Sequence, residues 1–257
     1  MPPNLARYYD AVVPWEKRLK REMPLLEELA RAAGGRVLVP GCGTGGHVVA
    51  LAERGFDVLG FDIDEDALAV AQQKIDSAAA TIAASRGKAE LQLLDMSRGG
   101  ELGPSFGAAF CLGNALPSMS QPGQHLAVLR GVAGALRLGG IFLTQNLNYD
   151  LRWREKTQLF PVLSGQTADE EVLLVKFADY DAEHINFHAI FLARPKAGGA
   201  WQTHPRSSRQ IPLLLGYLTG LLSDAGLGDI TAWGDFARSP FDPARSNDLM
   251  VLAKKAQ

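Results

Sequence analysis

Apolar residues in the first half of the chain form two kinds of pattern, a helical periodicity and short continuous runs. Residues 15–33 carry apolar side chains at three- and four-residue steps, which predicts a helix that Pro24 should kink or restart. Five short apolar runs are each typical of a buried strand: residues 36–40, 58–61, 89–94, 106–112 and 141–145. Three further helices are predicted among them: residues 46–54, 65–84 and 124–138. Strands that alternate with helices indicate an α/β fold built on a parallel sheet.

The pattern changes after Asp150. Three segments have the composition of antiparallel strands, with two glycines to turn the chain between the last pair: residues 172–177, 184–193 and 200–209. The earlier pattern then resumes with a helix and two strands, the last of which should insert antiparallel: residues 212–225, 229–233 and 248–253. We therefore predict three regions: an N-terminal helix and Rossmann-like core at 1–150, an inserted antiparallel cap at 151–210, and a completion of the core sheet at 211–257.

The composition limits the classes of substrate and the cellular location that we expect. The chain has 26 Lys and Arg against 28 Asp and Glu, a formal net charge of −2, so no basic surface for nucleic acid is expected and a small-molecule substrate is favoured. Residues 1–10 lack the apolar core of a targeting signal, and no apolar run reaches the roughly 18 residues of a membrane span, so we expect a cytoplasmic protein. Cys42 and Cys111 are predicted to be free and buried, without a disulfide or zinc role.

A glycine-rich segment follows the first predicted strand, where the chain must turn sharply into a helix. Gly41, Gly43 and Gly46 match the G-x-G-x-x-G spacing, which by itself would equally suit a nicotinamide cofactor. Asp62 ends the second strand, where a carboxylate accepts hydrogen bonds from the ribose of an adenosyl group. Asp95 ends the third strand and is placed to accept from an adenine amino group. The second half of the chain lacks another parallel mononucleotide unit, which favours S-adenosylmethionine over a dinucleotide.

Three segments resemble, in order, the sequential motifs of class I S-adenosylmethionine-dependent methyltransferases: G-C-G-T-G at 41–45, G-F-D-I-D at 60–64 and L-L-D-M at 93–96. Four more resemble segments of glycine/sarcosine N-methyltransferase-like enzymes: C-L-G-N at 111–114, N-Y-D at 148–150, W-G-D-F at 233–236 and S-N-D-L at 246–249. The resemblance implies a seven-stranded sheet with helices on both faces and an antiparallel last strand. It also implies methyl transfer from S-adenosylmethionine to a small molecule, with an amine nitrogen as the acceptor atom.

The resemblance assigns roles to the cofactor-binding residues. The methionine part is assigned to Gly41, Cys42, Gly43 and Gly45, the ribose to Asp62, the adenine face to Ile63, the adenine edge to Asp95 and Met96, and the surroundings of the methyl group to Leu112. Tyr9 and Trp15 precede the first strand and would form an aromatic lid over the positively charged sulfonium. The same two rings would equally serve to pack the first helix onto the core.

Three positions depart from the glycine-methylating members. Leu147 stands where these enzymes have an arginine for the amino-acid carboxylate, and Ser118 where their loop tends to have a histidine, so we expect glycine to be a poor acceptor. Val39 replaces the acidic residue of the first motif, and V-L-V-P at 37–40 is similar to thiol and thiopurine methyltransferases. An S- or O-methyltransferase is therefore the alternative. A non-catalytic adenosyl-binding module and a nicotinamide-dependent reductase are the alternatives of another class.

Four residues are candidates for catalysis: Asn114, Tyr149, Asp150 and His188. Asn114 follows the fourth strand, where its amide would orient a nucleophile or cap the next turn. Tyr149 and Asp150 follow the fifth strand at the same edge of the sheet, although Asp150 equally suits a turn. His188 would face the pocket as a proton acceptor or bond within its sheet. His184 lies four residues away, about 13 Å along a strand, so no metal site is predicted.

The cap is expected to close over the carboxyl edge of the core sheet and to select the acceptor. Its inward face should carry Phe187 and Phe191 with a few polar groups. Arg206 and Arg209 would hold an anionic substrate or lie as exposed charges at a strand edge. The acceptor and the oligomeric state do not follow from these patterns.

Overall fold

The computed structural model describes residues 5–256, so Gln257 and the first four residues of the predicted N-terminal region lie outside it. Its helices are α1 (Leu5–Val12), α2 (Trp15–Ala33), α3 (Gly46–Ala52), α4 (Glu65–Ala84), α5 (Gln124–Ala135), α6 (Tyr149–Glu155) and α7 (Leu215–Asp224). Its strands are β1 (Arg36–Pro40), β2 (Asp57–Asp62), β3 (Lys88–Leu93), β4 (Phe106–Cys111), β5 (Leu136–Leu147), β6 (Leu163–Gln166), β7 (Glu170–Tyr180), β8 (Ile185–Pro195), β9 (Gln202–Gln210), β10 (Leu227–Trp233) and β11 (Asp248–Lys255).

Seven strands form the central sheet in the order β10-β11-β5-β4-β1-β2-β3. The first five strands of the chain pair in parallel, whereas β11 runs antiparallel to both β5 and β10. The strand order reverses between β1 and β4, so the loops that follow them diverge and open a crevice at the carboxyl edge. The predicted Rossmann-like sheet with its antiparallel last strand is confirmed.

Helices cover both faces of this sheet because successive strand residues point to opposite sides. Val37 and Val39 of β1 pack in one buried cluster with residues of α2 and α3, whereas Leu38 packs in the other with residues of α5 and α7. Strands buried on both faces are apolar throughout, as the four consecutive buried residues of β1 show.

Two predicted boundaries in the core were wrong. Pro24 does not restart α2, which runs unbroken from Trp15 to Ala33. Proline has no N–H to donate to the carbonyl oxygen of Lys20. Pro24 and Lys20 are both exposed, so this oxygen can bond to water instead. The helix predicted to reach residue 138 ends at Ala135, and β5 begins at Leu136, which already pairs with Phe106. Pairing with β4 and β11 decides this boundary rather than the local hydrophobic pattern.

The cap is a four-stranded antiparallel sheet in the order β6-β7-β8-β9. Its antiparallel character was predicted, but β6 was missed because L-S-G-Q contains a single apolar residue. Tertiary contacts decide its conformation: a Cβ on Gly165 would lie 1.9 Å from the carbonyl oxygen of Ala11, so β6 and α1 are packed backbone to backbone. The residue boundaries predicted for the three regions stay a prediction.

The short helices α1 and α6 were also missed. The eight residues of α1 are too few for a stable isolated helix, but Tyr8 and Val12 are buried against Val172 and Phe191 of the cap. The Tyr8 hydroxyl also donates to Glu170 at 2.9 Å. Helix α1 therefore joins the cap to the core, a contact that periodicity within so short a segment cannot reveal.

Among residues 5–256, no helix has the length and apolar character needed to cross a membrane. Cys42 and Cys111 are both free and buried, as predicted. Burial raises the pKa of each thiol to about 12, so neither is a thiolate at neutral pH. No cluster of three or more potential metal ligands occurs in the described part of the chain.

Candidate active site

Three glycines shape the loop between β1 and α3. Gly41, Gly43 and Gly45 have φ values of +64°, +52° and +73°, a region that side chains other than glycine rarely adopt. A Cβ on Gly41 would lie 2.9 Å from the Cβ of Ala115, and one on Gly45 would lie 2.6 Å from that of Ala71, so both are packed against the protein. Gly43 instead has no atom within 4 Å of that position. The loop therefore presents bare backbone to open space at Gly43.

Asp62 fixes this loop from the end of β2. One carboxylate oxygen accepts the Gly43 N–H at 2.7 Å, and the other accepts the Asp64 N–H at 3.0 Å. The carboxylate keeps further lone pairs for a ligand. A cleft of about 750 Å³ opens here, and Gly43, Asp62, Tyr9 and the cap residue Arg206 all line it.

The next two loops add apolar surface and one more carboxylate. Ile63 is 65% exposed directly beside Asp62, an unusual position for a branched apolar side chain. Met96 is buried against Gly41. Asp95 accepts hydrogen bonds from the Ser97 hydroxyl and N–H, which lower its pKa and keep it ionised. Its second oxygen, Oδ2, has no hydrogen-bond partner among the described residues.

The N-terminal segment covers the glycine loop. A second, smaller pocket is lined by Tyr9 and Trp15 together with residues of this loop and Leu112. The indole of Trp15 lies over Gly46, where a Cβ would come 2.3 Å from the ring, and its Nε1 donates to Asp10 at 2.7 Å. Asp10 also accepts from the Thr44 hydroxyl at 2.8 Å and from Lys74. Tyr9 and Trp15 thus both line this pocket, and Asp10 ties Trp15 to Thr44 of the glycine loop. Their role as a lid over the sulfonium stays a prediction.

A buried charge cluster lies beneath the same pocket. Glu22 is 1% exposed and accepts from Arg18 at 3.1 Å and Arg21 at 2.9 Å, and it lies 2.7 Å from Nε2 of His47. Burial alone would raise the pKa of Glu22, but the His47 hydrogen bond and the charge of Arg18 lower it to about 2. Burial lowers the pKa of His47. We therefore assign a neutral His47 that donates Nε2–H to an ionised Glu22. Arg18 and His47 both line the pocket.

Asn114 and Tyr149 meet at the carboxyl ends of β4 and β5. Asn114 donates its amide N–H to the Tyr149 hydroxyl at 2.8 Å, and this hydroxyl lies 3.1 Å from Oε1 of Gln210, the last residue of β9. The Asn114 carbonyl oxygen accepts the Leu147 N–H at 3.0 Å. Asn114 itself has a φ of +66°, a strained conformation of the kind that concentrates at functional sites. Burial raises the pKa of Tyr149, so its hydroxyl stays protonated.

The other two catalytic candidates are not brought to this cluster. Asp150 accepts the backbone N–H of Leu215 at 3.0 Å and so caps the start of α7, which is neither the catalytic role nor the local turn considered for it. His188 stacks on Phe177 at 4.6 Å between ring centroids and bonds to Asp179 and Ser207. Because strand residues alternate between faces, Phe187 and His188 point to opposite sides of the cap, and the catalytic role predicted for His188 has no geometric support.

Comparison with known proteins identifies the family. The family model of thiopurine S-methyltransferase matches residues 5–97. A glycine/sarcosine N-methyltransferase from Parasynechococcus marenigrum is 27% identical over 241 residues, covering 91% of this chain and 78% of that protein. The chain is a class I S-adenosylmethionine-dependent methyltransferase.

Solved structures of methyltransferases share the fold. A S-adenosylmethionine-dependent methyltransferase from Clostridium acetobutylicum superposes with a TM-score of 0.73 at 14% identity, covering 93% of this chain and 92% of that one. An amino pentose methyltransferase from Micromonospora echinaspora superposes with a TM-score of 0.68 at 18% identity, covering 95% and 92%. The coverage includes the cap as well as the core.

Several residues at the site of this methyltransferase were not predicted: Asp10, Arg18, Glu22, His47 and Gln210. Two carried a usable signal, because Arg18 lies one helical turn after Trp15, and His47 directly follows the glycines of the loop. The other three reach the site through contacts between segments distant in the chain, which no local pattern records.

Proposed function

We propose that this methyltransferase transfers the methyl group of S-adenosylmethionine to an amine nitrogen of a small molecule. The observation that carries the proposal is the hydrogen-bonded cluster of Asn114, Tyr149 and Gln210, which lies where the crevice of the core sheet meets the cap. The second N–H of the Asn114 amide has no partner among the described residues, so it is available to orient an acceptor.

The site fits the cofactor on its own geometry. Gly43 leaves open the space that a side chain would fill, and the Asp62 carboxylate beside it has lone pairs for the two ribose hydroxyls. Ile63 offers an exposed apolar face to the adenine, and Asp95 an ionised oxygen to its amino group. Arg18 reaches the second pocket and would hold the methionine carboxylate.

The bound cofactor would supply an electrophilic methyl group on a sulfonium. The protein's own part is alignment, since an in-line displacement needs a fixed donor and acceptor in a site from which water is excluded. Tyr149 remains protonated and therefore acts as a hydrogen-bonding group rather than as a base. The amine must arrive neutral, and its N–H donates to the remaining lone pair of the Tyr149 oxygen, which leaves the amine lone pair free to attack the methyl group. The free Asn114 N–H then donates to another polar group of the acceptor.

Methyl transfer to sulfur is the second candidate. It is favoured by the V-L-V-P segment before the glycine loop and by the thiopurine S-methyltransferase model. That match ends at residue 97, before Asn114 and Tyr149, and so does not include the acceptor cluster. The glycine/sarcosine N-methyltransferase aligns over 91% of the chain. One neighbour of similar fold is described as a sugar N-methyltransferase and another as an amino pentose methyltransferase, which favours nitrogen.

Glycine itself is expected to be a poor acceptor. Leu147, partly buried, offers no charge to a carboxylate, and its N–H is taken by Asn114. The purified protein should therefore form sarcosine far more slowly than it methylates larger amines. Efficient sarcosine formation would contradict this expectation and would place the carboxylate-binding group elsewhere.

The acceptor atom can be tested directly. The purified protein is incubated with methyl-labelled S-adenosylmethionine and matched amines, thiols and alcohols, and the products are analysed by mass spectrometry. We expect N-methylated products, formed more slowly by the Asp62→Ala variant when S-adenosylmethionine is below saturation. Products labelled only at sulfur or oxygen would overturn the proposal in favour of the alternatives. The cytoplasmic location stays a prediction, which fractionation of the source cells would test.

A further inference from the structure

The inner face of the cap carries unpaired positive charge. Strand register places Lys176 of β7, Ala189 of β8 and Arg206 of β9 in one row across the sheet. This row shares a face with Phe187 and Gln210, which contact the core, and with Phe191, which contacts α1. Lys176 and Arg206 therefore point to the space between α1 and the acceptor cluster, flanking the small side chain of Ala189.

A third cation approaches from α6. The guanidinium of Arg152 stacks 4.9 Å from the centre of the Phe160 ring, and Phe160 stacks in turn on Phe187 at 4.9 Å. The Phe160 N–H donates to the backbone oxygen of Lys176 at 3.2 Å, which brings this segment against the same row. Arg152 thus lies between the cap and Tyr149, the first residue of its own helix.

None of these cations has a counter-ion in direct contact, although Asp248 lies near enough to Arg152 for their charges to interact. Within residues 5–256, the side chains of Lys176, Arg152 and Arg206 take part in no hydrogen bond or ion pair. The Nε atom of Arg152 is fully buried without a hydrogen-bond partner, a state that costs about 1–3 kcal/mol in a neutral donor and more in a charged one. Burial, and then the charge of Arg152, lower the pKa of Lys176. Two like charges held together without an anion in direct contact destabilise the fold, as is typical of a ligand site.

We propose that Lys176 and Arg152 form the subsite for an anionic group, a carboxylate or a phosphate, on the methyl acceptor, with Arg206 contributing at its rim. This inference rests on the proposed function, because it names the class of molecule that the acceptor cluster methylates. A guanidinium and an ammonium are the groups that bind oxyanions most strongly in proteins. In the glycine-methylating enzymes an arginine at the position of Leu147 binds the acceptor carboxylate. The proposed subsite would bind the acceptor anion in its place.

The spacing also limits the shape of the acceptor. Arg206 and Gln210 are four residues apart on β9, about 13 Å at roughly 3.3 Å for each residue. Lys176 lies in the row of Arg206, so we expect an acceptor that reaches it from Asn114 and Tyr149 to carry its anion several bonds from its amine. An amino acid with adjacent amine and carboxylate is too short to bridge them, whereas a chain or a sugar ring that carries both groups is long enough.

Anion binding can be measured without any acceptor. Inorganic phosphate serves as the probe and is titrated into the complex with S-adenosylhomocysteine, followed by phosphorus NMR. We expect saturable binding that weakens roughly tenfold or more in Lys176→Met and, independently, in Arg152→Gln. The matched control is Arg154→Gln on the exposed side of α6, where Arg154 pairs with Glu155, and it should bind phosphate like the wild type. Absence of saturable binding in the wild type, or equal binding in all variants, would overturn the subsite.

Thermal unfolding in phosphate-free buffer separates this role from a structural one. Lys176→Met should melt no lower than the wild type, because methionine fills a similar volume without a desolvated charge. Phosphate should raise the melting temperature of the wild type and leave that of Lys176→Met unchanged. A variant that melts lower than the wild type, with unchanged phosphate binding, would assign Lys176 to structure and refute the proposal.

A paired acceptor assay then distinguishes the two proposals. Aminoalkyl carboxylates and aminoalkyl phosphates are compared with their neutral amides and alcohols, and we expect the anionic member of each pair to be methylated at least tenfold faster. Preference for one series over the other identifies the anion. Equal turnover of neutral and anionic amines refutes the subsite and leaves N-methylation standing. Phosphate binding through Lys176 and Arg152 without turnover of any amine refutes the proposed function and leaves the subsite standing.

Discussion

Replacing Glu22 by glutamine removes one buried charge and little else. Glu22 is 1% exposed and receives hydrogen bonds from Arg18, Arg21 and His47. Its pKa falls from an ordinary value of 4.5 to about 2, although burial alone would raise it. At roughly 1.4 kcal/mol for each pKa unit, the ionised form is favoured in the folded protein by about 3 kcal/mol. Glutamine resembles the protonated acid, so Glu22→Gln should lower the free energy of unfolding by about 3 kcal/mol at pH 7.

The stability difference between the wild type and Glu22→Gln should depend on pH. The pKa of Glu22 is lower in the folded than in the unfolded state, so its stabilisation is complete above about pH 4.5 and is lost as the pH falls through about 2. Urea unfolding of the wild type and of Glu22→Gln should therefore differ by about 3 kcal/mol at neutral pH. The difference should shrink steadily between pH 4.5 and pH 2.

A control lies on the same helix. Glu27 pairs with Arg31 at 2.7 Å but is 33% exposed, so Glu27→Gln should change the free energy of unfolding by less than about 1 kcal/mol. The reasoning about burial is refuted if Glu22→Gln is no more destabilising than this control. It is also refuted if the effect of Glu22→Gln stays constant down to pH 2, since the loss would then arise from packing rather than from charge.

Three further predictions concern the cofactor and acceptor sites. Asp62→Ala should weaken S-adenosylhomocysteine binding by roughly 1–3 kcal/mol in titration calorimetry, because the ribose hydroxyls lose their acceptor, and unchanged affinity would contradict the assignment. Gly43→Ala should weaken the same binding, because alanine is strained at a φ of +52° and its methyl group would fill the space left for the cofactor. Gly216→Ala on α7 is the control: the added Cβ would have no atom within 4 Å, and the affinity should not change. Asn114→Ala and Tyr149→Ala should lower methyl transfer while S-adenosylhomocysteine affinity stays within about 1 kcal/mol, and lost affinity in both would place the acceptor pocket elsewhere.

Local patterns in the sequence were sufficient for most of the core. The ends of α2 and α4 were predicted to the residue, because long amphipathic helices and their terminal glycine and aspartate signals depend on neighbouring residues alone. The glycine loop was recognised for the same reason, since positive φ angles at Gly41, Gly43 and Gly45 are a property of backbone sterics. The place of Asp62 followed from the rule that parallel strands end at one edge of their sheet.

Contacts between distant segments decided the rest. The conformation of α1 comes from burial against the cap, and β6 comes from pairing with β7, so neither carried a local signal. His188 was predicted at the pocket because a strand offers two faces and the sequence does not say which one turns inward.

The sequence by itself determined an α/β fold with a glycine-rich turn after its first strand, because those features depend on hydrophobic periodicity and backbone sterics. The methyltransferase assignment came from the resemblance of its motifs to that family. Only the tertiary structure decided which side chains meet at the proposed acceptor site. Gln210 joins Asn114 and Tyr149, and Lys176 approaches Arg152, through sheet register and the docking of the cap. Such contacts depend on how whole elements pack, and residues far apart in the chain meet only when the complete fold brings their surfaces together.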